Sequence, residues 1–250
     1  MRRSLSFILP IAILAAWFLT SEYAGIPKIL LPSPGDVLRA FVKLCESGAL
    51  AHHITMSAFR TLSGFLLAAA VGIGCGVWFA CRPTAERVSR YIVEFLRLTP
   101  PLALVPVLIL WLGIDEAPKI AVVFLSSFFP IYLNAYDAVR SVDPKLSEVA
   151  ALLKFSPAER FRMLTLPSAM PGILTGLRLG FGYSWRALVG AELIAAASGV
   201  GFMITEASEF GQTDVVFVGI FTIVILGIAA DAAMTKLLAA FRRFLERRFV

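Results

Sequence analysis

Val215-Val216-Phe217-Val218-Gly219-Ile220-Phe221-Thr222-Ile223-Val224-Ile225-Leu226-Gly227-Ile228-Ala229-Ala230 runs without a single charge. Extended to Leu238, the stretch is long enough to cross the hydrocarbon core of a bilayer as one helix. Comparable runs recur along the chain: Leu5–Thr20, Leu62–Ala80, Tyr91–Leu112, Ile120–Val139 and Gly172–Ala197. Hydrophobic residues make up 58% of the 250 and charged residues 16%, and mean hydropathy is +0.82. An ordinary soluble domain is about half apolar and about a quarter charged. The excess needs lipid around it, so the expected fold is an all-α integral membrane protein with six transmembrane helices, forming a single transmembrane domain over residues 1–250.

Basic residues orient the spans. Arg2 and Arg3, then Arg82, Arg87 and Arg90, then Arg140, Lys145, Lys154, Arg160 and Arg162, then Lys236, Arg242, Arg243, Arg247 and Arg248 fall in alternate joints. The opposite joints hold only Lys28, Arg39, Lys43 and Lys119, and Ser198–Asp214 has acids but no base. Short basic loops stay on the cytoplasmic side, so both termini are expected there. The net charge of +6 follows from that bias and calls for membrane lipid, not nucleic acid, as partner. Met1–Thr20 also has the basic start and apolar run of a secretory signal, but no small-x-small cleavage site follows it. Cys45, Cys75 and Cys81 show no metal or redox spacing. Adjacent His52 and His53 have no paired ligands, which weighs against a membrane-embedded enzyme.

Local punctuation places the joints. Ser33-Pro34-Gly35-Asp36 starts an outer amphipathic helix by capping box and first-turn proline, with Val37, Leu38, Phe41, Val42 and Leu44 as its apolar side. Thr99-Pro100-Pro101 and Pro106 remove donors inside the third span and bend it. Gly72/Gly76 and Gly172/Gly176/Gly180 stand at four-residue spacing, which lets helix backbones approach closely.

The long joint from Arg140 to Ala169 carries the most information. Asp143-Pro144 starts one short helix, and Ser156-Pro157-Ala158-Glu159 starts a second with a full capping box. The first shows Leu146, Val149, Ala150, Leu152 and Leu153. The second shows Phe161, Met163, Leu164 and Leu166 before Pro167, which is expected to end it. Apolar faces projecting into water need a partner surface or the bundle itself to cover them.

Glu148-Val149-Ala150, followed at eighteen residues from Glu148 by Leu166-Pro167, resembles the cytoplasmic EAA loop of binding-protein-dependent ABC importer permeases. Further blocks resemble the nitrate/sulfonate/taurine branch: Arg97-Leu98-Thr99-Pro100-Pro101-Leu102-Ala103-Leu104-Val105-Pro106 with Leu110-Trp111-Leu112-Gly113-Ile114, Arg140-Ser141-Val142-Asp143-Pro144, Leu166-Pro167-Ser168-Ala169-Met170-Pro171-Gly172-Ile173 and Ala191-Glu192-Leu193-Ile194-Ala195. The likeness runs over roughly residues 28–240.

The resemblance implies a transport subunit of the bacterial inner membrane. It implies two copies of the chain, two cytoplasmic ATPase subunits that bind ATP and Mg, and a periplasmic solute-binding protein. It also implies a coupling loop at 143–167 with Glu148, Ala150, Lys154, Ser156, Leu166 and Pro167 as coupling residues. The chain has no G-x-x-x-x-G-K-[ST] loop to cradle phosphates, which agrees with ATP hydrolysis elsewhere and no cofactor of its own. At Lys154 the family has glycine, so either the turn is built differently or a lysine accepts left-handed strain of about 1–2 kcal/mol.

Charge at membrane depth is costly, and each such residue is a candidate for function or for pairing. Arg186, beside Trp185, is either a counter-charge for a passing anion or the structural partner of Glu192 or Asp231. Arg60, Arg97 and Arg178 lie near span ends, where snorkelling suffices. The function expected from these readings is ATP-driven import of a small oxyanion (sulfonate, taurine or nitrate class) by alternating access, with Arg186, Trp185 and Glu192 on the path. An uncharged heterocycle such as a pyrimidine, or an ATPase-independent channel or carrier, is the alternative.

Overall fold

The computed structural model describes residues 8–249, apart from the side chains of Ser147 and of residues 245–249, and finds helices and no strand among them. Expectations resting on Arg2, Arg3 and the start of the first span lie outside the described residues. The helices are α1 (Ile8–Tyr23), α2 (Pro34–Glu46), α3 (Ala49–Cys81), α4 (Pro83–Leu98), α5 (Val105–Leu112), α6 (Glu116–Arg140), α7 (Pro144–Leu152), α8 (Pro157–Arg160), α9 (Leu166–Ala195), α10 (Val200–Glu209) and α11 (Thr213–Phe249).

Among the described residues four helices are long and apolar enough to cross a membrane, or five if α4 and α5 count as one broken span. The third span, expected as one bent helix over Tyr91–Leu112, is broken into two helices instead. Pro100 and Pro101 interrupt the ladder, a 3₁₀ turn at Pro101–Leu104 follows, and the two halves meet at 89°. Two successive residues without a donor leave no α-helical hydrogen bond to hold the axis straight. At 16 residues α1 is a shorter apolar helix.

Contacts divide the chain into two units, Met1–Ser57 with Glu192–Leu226 and Ala58–Ala191 with Gly227–Val250. In the first, Val37 and Ala40 of α2 pack with Val218, and Trp17 and Leu44 lean on them. Trp17 stacks on Phe217 at 5.4 Å and donates through Nε1 to the Pro32 carbonyl at 3.0 Å. The helix α2 starts as expected, with Ser33 and Asp36 exchanging capping hydrogen bonds. Its buried side differs: Leu38, Phe41 and Val42 stay exposed while Ala40 is buried, because a close neighbour selects the small residue and turns the bulky ones outward.

In the second unit α6 is central. A Cβ on Gly72 of α3 would sit 3.1 Å from Ile131 Cγ2, and one on Gly180 of α9 would sit 2.6 Å from Ile131 Cγ1. Gly76 and Gly176 likewise leave no room against Tyr132 and Asn134. The glycine spacings are thus helix-packing faces on both flanks of α6. Phe65, Ala68, Ile131 and Phe181 form one buried cluster there, and Ala135, Val139, Ala169 and Ile173 another.

Candidate functional site

The loop at 143–167 is built largely as its caps dictate. Asp143 accepts from the Lys145 N–H at 2.9 Å and starts α7. Ser156 accepts from the Glu159 N–H at 3.3 Å, while Glu159 Oε2 accepts from the Ser156 N–H at 2.8 Å and hydroxyl at 2.7 Å. The Ser156 hydroxyl, then its backbone N–H, holds the Glu159 carboxyl below its ordinary value. Asp36 in the equivalent box of α2 is also lowered, by Ser33 first and then by Lys28 and Arg39.

Lys154 has φ of +55°, the one positive value outside glycine among the described residues. Its N–H donates to the Ala151 carbonyl and the Phe155 N–H to that of Ala150, each at 3.0 Å. That pair of bonds is a Schellman cap with lysine in the left-handed position. Lys154 therefore accepts the strain.

Pro167 does not end the second helix, contrary to expectation. Phe161–Thr165 form a π turn, in which the Leu166 N–H reaches back to the Phe161 carbonyl, and the chain continues straight into α9 through Pro167 and Pro171 to Ala195. The widened turn gives the proline ring room that a regular turn would deny it. The loop is thus one short helix followed by the foot of a long one. Glu148 is exposed, as are Leu146, Val149, Leu153 and Met163, and Leu152 is 82% exposed. Ala150 faces inward at 1%. Leu166 and Pro167 are half-buried.

On α9, Thr175, Arg178, Tyr183 and Arg186 lie on an exposed side, with Trp185 half-buried. Trp185 Nε1 would lie 3.0 Å from a Cβ on Gly227. Asp231 pairs with Arg178 at 3.5 Å, and Arg186 makes no hydrogen bond or ion pair with a described residue.

Glu192 is 1% exposed, and its two oxygens accept from the Ser57 hydroxyl at 2.9 Å each. The Gly201 N–H adds a third bond at 3.0 Å. Ser57 in turn accepts from the Val200 N–H at 2.9 Å, and His53 Nδ1 accepts from the Gly199 N–H at 3.1 Å. A carboxylate thus sits at the N-terminus of α10, where the helix dipole favours it. Gly199, at φ +111°, passes so close that a Cβ would collide with that carboxylate. Sequence reasoning missed this cluster, since Ser57 and Glu192 stand 135 residues apart.

Arg60 does not snorkel. It is fully buried and forked on Glu116, with Nη2 donating to Oε1 at 2.8 Å and Nε to Oε2. Lys119 shares that carboxylate at 3.3 Å and donates to the Asp115 carbonyl at 3.1 Å.

The family profile described as "Binding-protein-dependent transport system inner membrane component" matches residues 68–243. A Bacillus subtilis protein named as an aliphatic sulfonates transport permease, SsuC, is 38% identical over 97% of this chain and 85% of its own. The taurine transport system permease TauC of Escherichia coli is 35% identical over 90% and 84%. The bicarbonate transport system permease CmpB of Synechocystis is 33% identical over 72% and 66%. Among solved structures, a chain of the MetNI methionine ABC transporter superposes with a TM-score of 0.67 at 17% identity, covering 78% of this chain and 97% of that one. This last likeness concerns the fold alone.

Proposed function

The chain belongs to the family of binding-protein-dependent transport system inner membrane components, and from that membership we propose that it imports a small oxyanion of the sulfonate, taurine or nitrate class by alternating access. As a permease component it leaves ATP hydrolysis to a separate ATPase subunit and works with a solute-binding protein. In the proposed assembly two copies of the chain stand in the inner membrane, each on one ATPase subunit that binds ATP and Mg. Six crossings, counting α1 and the broken α4–α5 span, put both termini in the cytoplasm, in keeping with the basic joints.

The observation that carries the coupling role is the capped, apolar-faced turn at 143–167 that runs without interruption into a helix of about 45 Å at 1.5 Å per residue. Force applied to Leu146, Val149 and Leu152 from below has a direct route through the foot of α9. Names of the sulfonate, taurine and bicarbonate relatives support the oxyanion class, and the guanidinium of Arg186, which pairs with no described residue, suits an oxyanion path because it can fork onto such a group.

The test is paired substitution on the exposed face. Glu148→Leu and Leu152→Asp should leave the chain inserted but abolish co-purification with the ATPase, or uncouple hydrolysis from uptake. Unchanged coupled transport in both variants would overturn the coupling role.

A further inference from the structure

Three charged residues stand on α9: Arg178, Arg186 and Glu192. Glu192 is buried in its cluster with Ser57. The two arginines belong instead to an exposed stripe with Thr175, Leu179 and Tyr183, and at 3.6 residues per turn these five fall on one side of the helix. Arg178 lies about 12 Å along the axis from Arg186, on the side of the 143–167 loop. On α11 the apolar run from Val215 to Leu238 carries one acid, Asp231, and one base, Lys236. Asp231 Oδ2 stands 3.5 Å from Arg178 Nη2, and both side chains are about half exposed. Lys236 lies well round α11 from Asp231.

A charged stripe at this depth of a span is costly against lipid and fits a water-filled passage. In such a passage the two guanidiniums differ. Arg186 pairs with no described residue and is open to an anion, whereas Arg178 already has a carboxylate beside it. A transport path must hold its cargo weakly enough at each step to let it go. Two open guanidiniums in succession would offer an oxyanion leaving the first a second fork to enter. A carboxylate beside the second cancels that attraction and adds repulsion of its own.

We propose that Asp231 is a release residue: paired with Arg178, it closes the guanidinium that an oxyanion meets after Arg186, so that the anion passes toward the 143–167 end of α9 without being captured again. The inference deepens the path role given to Arg186 under Proposed function and rests on it.

Thiol protection reads the two guanidiniums separately. In a chain with Cys45, Cys75 and Cys81 changed to Ser, Tyr183→Cys puts a reporter about one turn from Arg186, and Thr175→Cys puts one about one turn from Arg178. The purified transport complex in phosphatidylcholine nanodiscs is labelled with uncharged N-ethylmaleimide, with ethanesulfonate replacing chloride at constant ionic strength. Ethanesulfonate should slow the Tyr183→Cys thiol severalfold and leave the Thr175→Cys thiol unchanged. With Asp231→Asn added, the Thr175→Cys thiol should slow severalfold too, and Arg178→Gln in that same chain should abolish the effect. Asp231→Ser should repeat the Asn result, and protection of the Tyr183→Cys thiol marks either variant as folded. A Thr175→Cys thiol that ethanesulfonate slows while Asp231 is in place, or one that stays unchanged in both folded Asp231 variants, would overturn the release role. A pair that only ties α9 to α11, away from the path, predicts the latter. Failure of the path reading shows elsewhere: the Tyr183→Cys thiol would be unprotected with Asp231 in place, or its protection would survive Arg186→Gln, and the release role would fall with it.

Discussion

Lys154 closes α7 through the same pair of hydrogen bonds with which Gly211 closes α10. In each cap the left-handed residue donates to the carbonyl three positions back, and its successor to the carbonyl five back. Gly211 holds φ +67° at no steric cost, whereas Lys154 holds +55° against its own Cβ. Lys154→Gly should therefore stabilise the loop by about 1 kcal/mol, Lys154→Asn by less, and Lys154→Val should weaken it, since a β-branched residue fits that region worst. Thermal unfolding of the detergent-solubilised protein, with proteolysis of the loop as a local readout, checks the order. Lys154→Gly no more stable than wild type would show that the strain is relieved elsewhere.

Glycines within one helix should respond in opposite ways. A Cβ at Gly76 would lie 2.6 Å from the Tyr132 carbonyl oxygen, which is backbone and cannot step aside, while at Gly74 nothing lies within 4 Å. Gly76→Ala should cost about 1–3 kcal/mol by overpacking, and Gly74→Ala should be neutral or gain up to about 1 kcal/mol of helix propensity. Thermal melts of the two variants side by side decide this, and equal losses would refute the close approach of α3 to α6.

Acid should loosen the start of α8 before that of α2. Both carboxyls sit below their ordinary values in the folded chain, so their stabilisation is complete above the unfolded-state value and fades as pH falls through the folded one. Glu159 draws on Ser156 alone, whereas Asp36 is held lower by Ser33, Lys28 and Arg39. Amide exchange between pH 7 and pH 3 should show protection of residues 157–160 lost first. In Glu159→Gln, which keeps the acceptor without the titration, that loss should not depend on pH.

Arg186→Gln should leave assembly and ATP hydrolysis intact but reduce anion uptake, and Arg186→Lys should restore part of it as a charge without the fork. Arg178→Gln, which removes the pair with Asp231, is the matched control on the same helix. Loss of assembly in Arg186→Gln would make Arg186 a structural residue and remove it from the path.

What could be read from the chain beforehand tracks how local each interaction is. The boxes at Ser33/Asp36 and Ser156/Glu159 close over three residues, and both form as written. Prolines at 100 and 101 announced a bend, but its 89° angle depends on packing that no neighbouring residue encodes. Pro167 was read as a stop because the rule assumes a regular turn before it, and the extra residue of the π turn removes that assumption. The face of α2 was misjudged for one reason. Apolarity marks which residues can be buried, while the shape of the neighbour chooses among them. The Glu192 cluster has no local trace, because its members come from three separate stretches of the chain.

Ile131 also bears on the order in which the molecule is made. The groove at Gly72 that receives one side of its side chain precedes it in the chain, and the groove at Gly180 that receives the other follows it. During synthesis from the N-terminus, α3 and α6 can pair while α9 is still inside the ribosome. A substitution at Gly72 would spoil the first partnership that α6 can enter. One at Gly180 would leave that early pair formed and waiting, exposed to quality-control proteases for want of its closing helix.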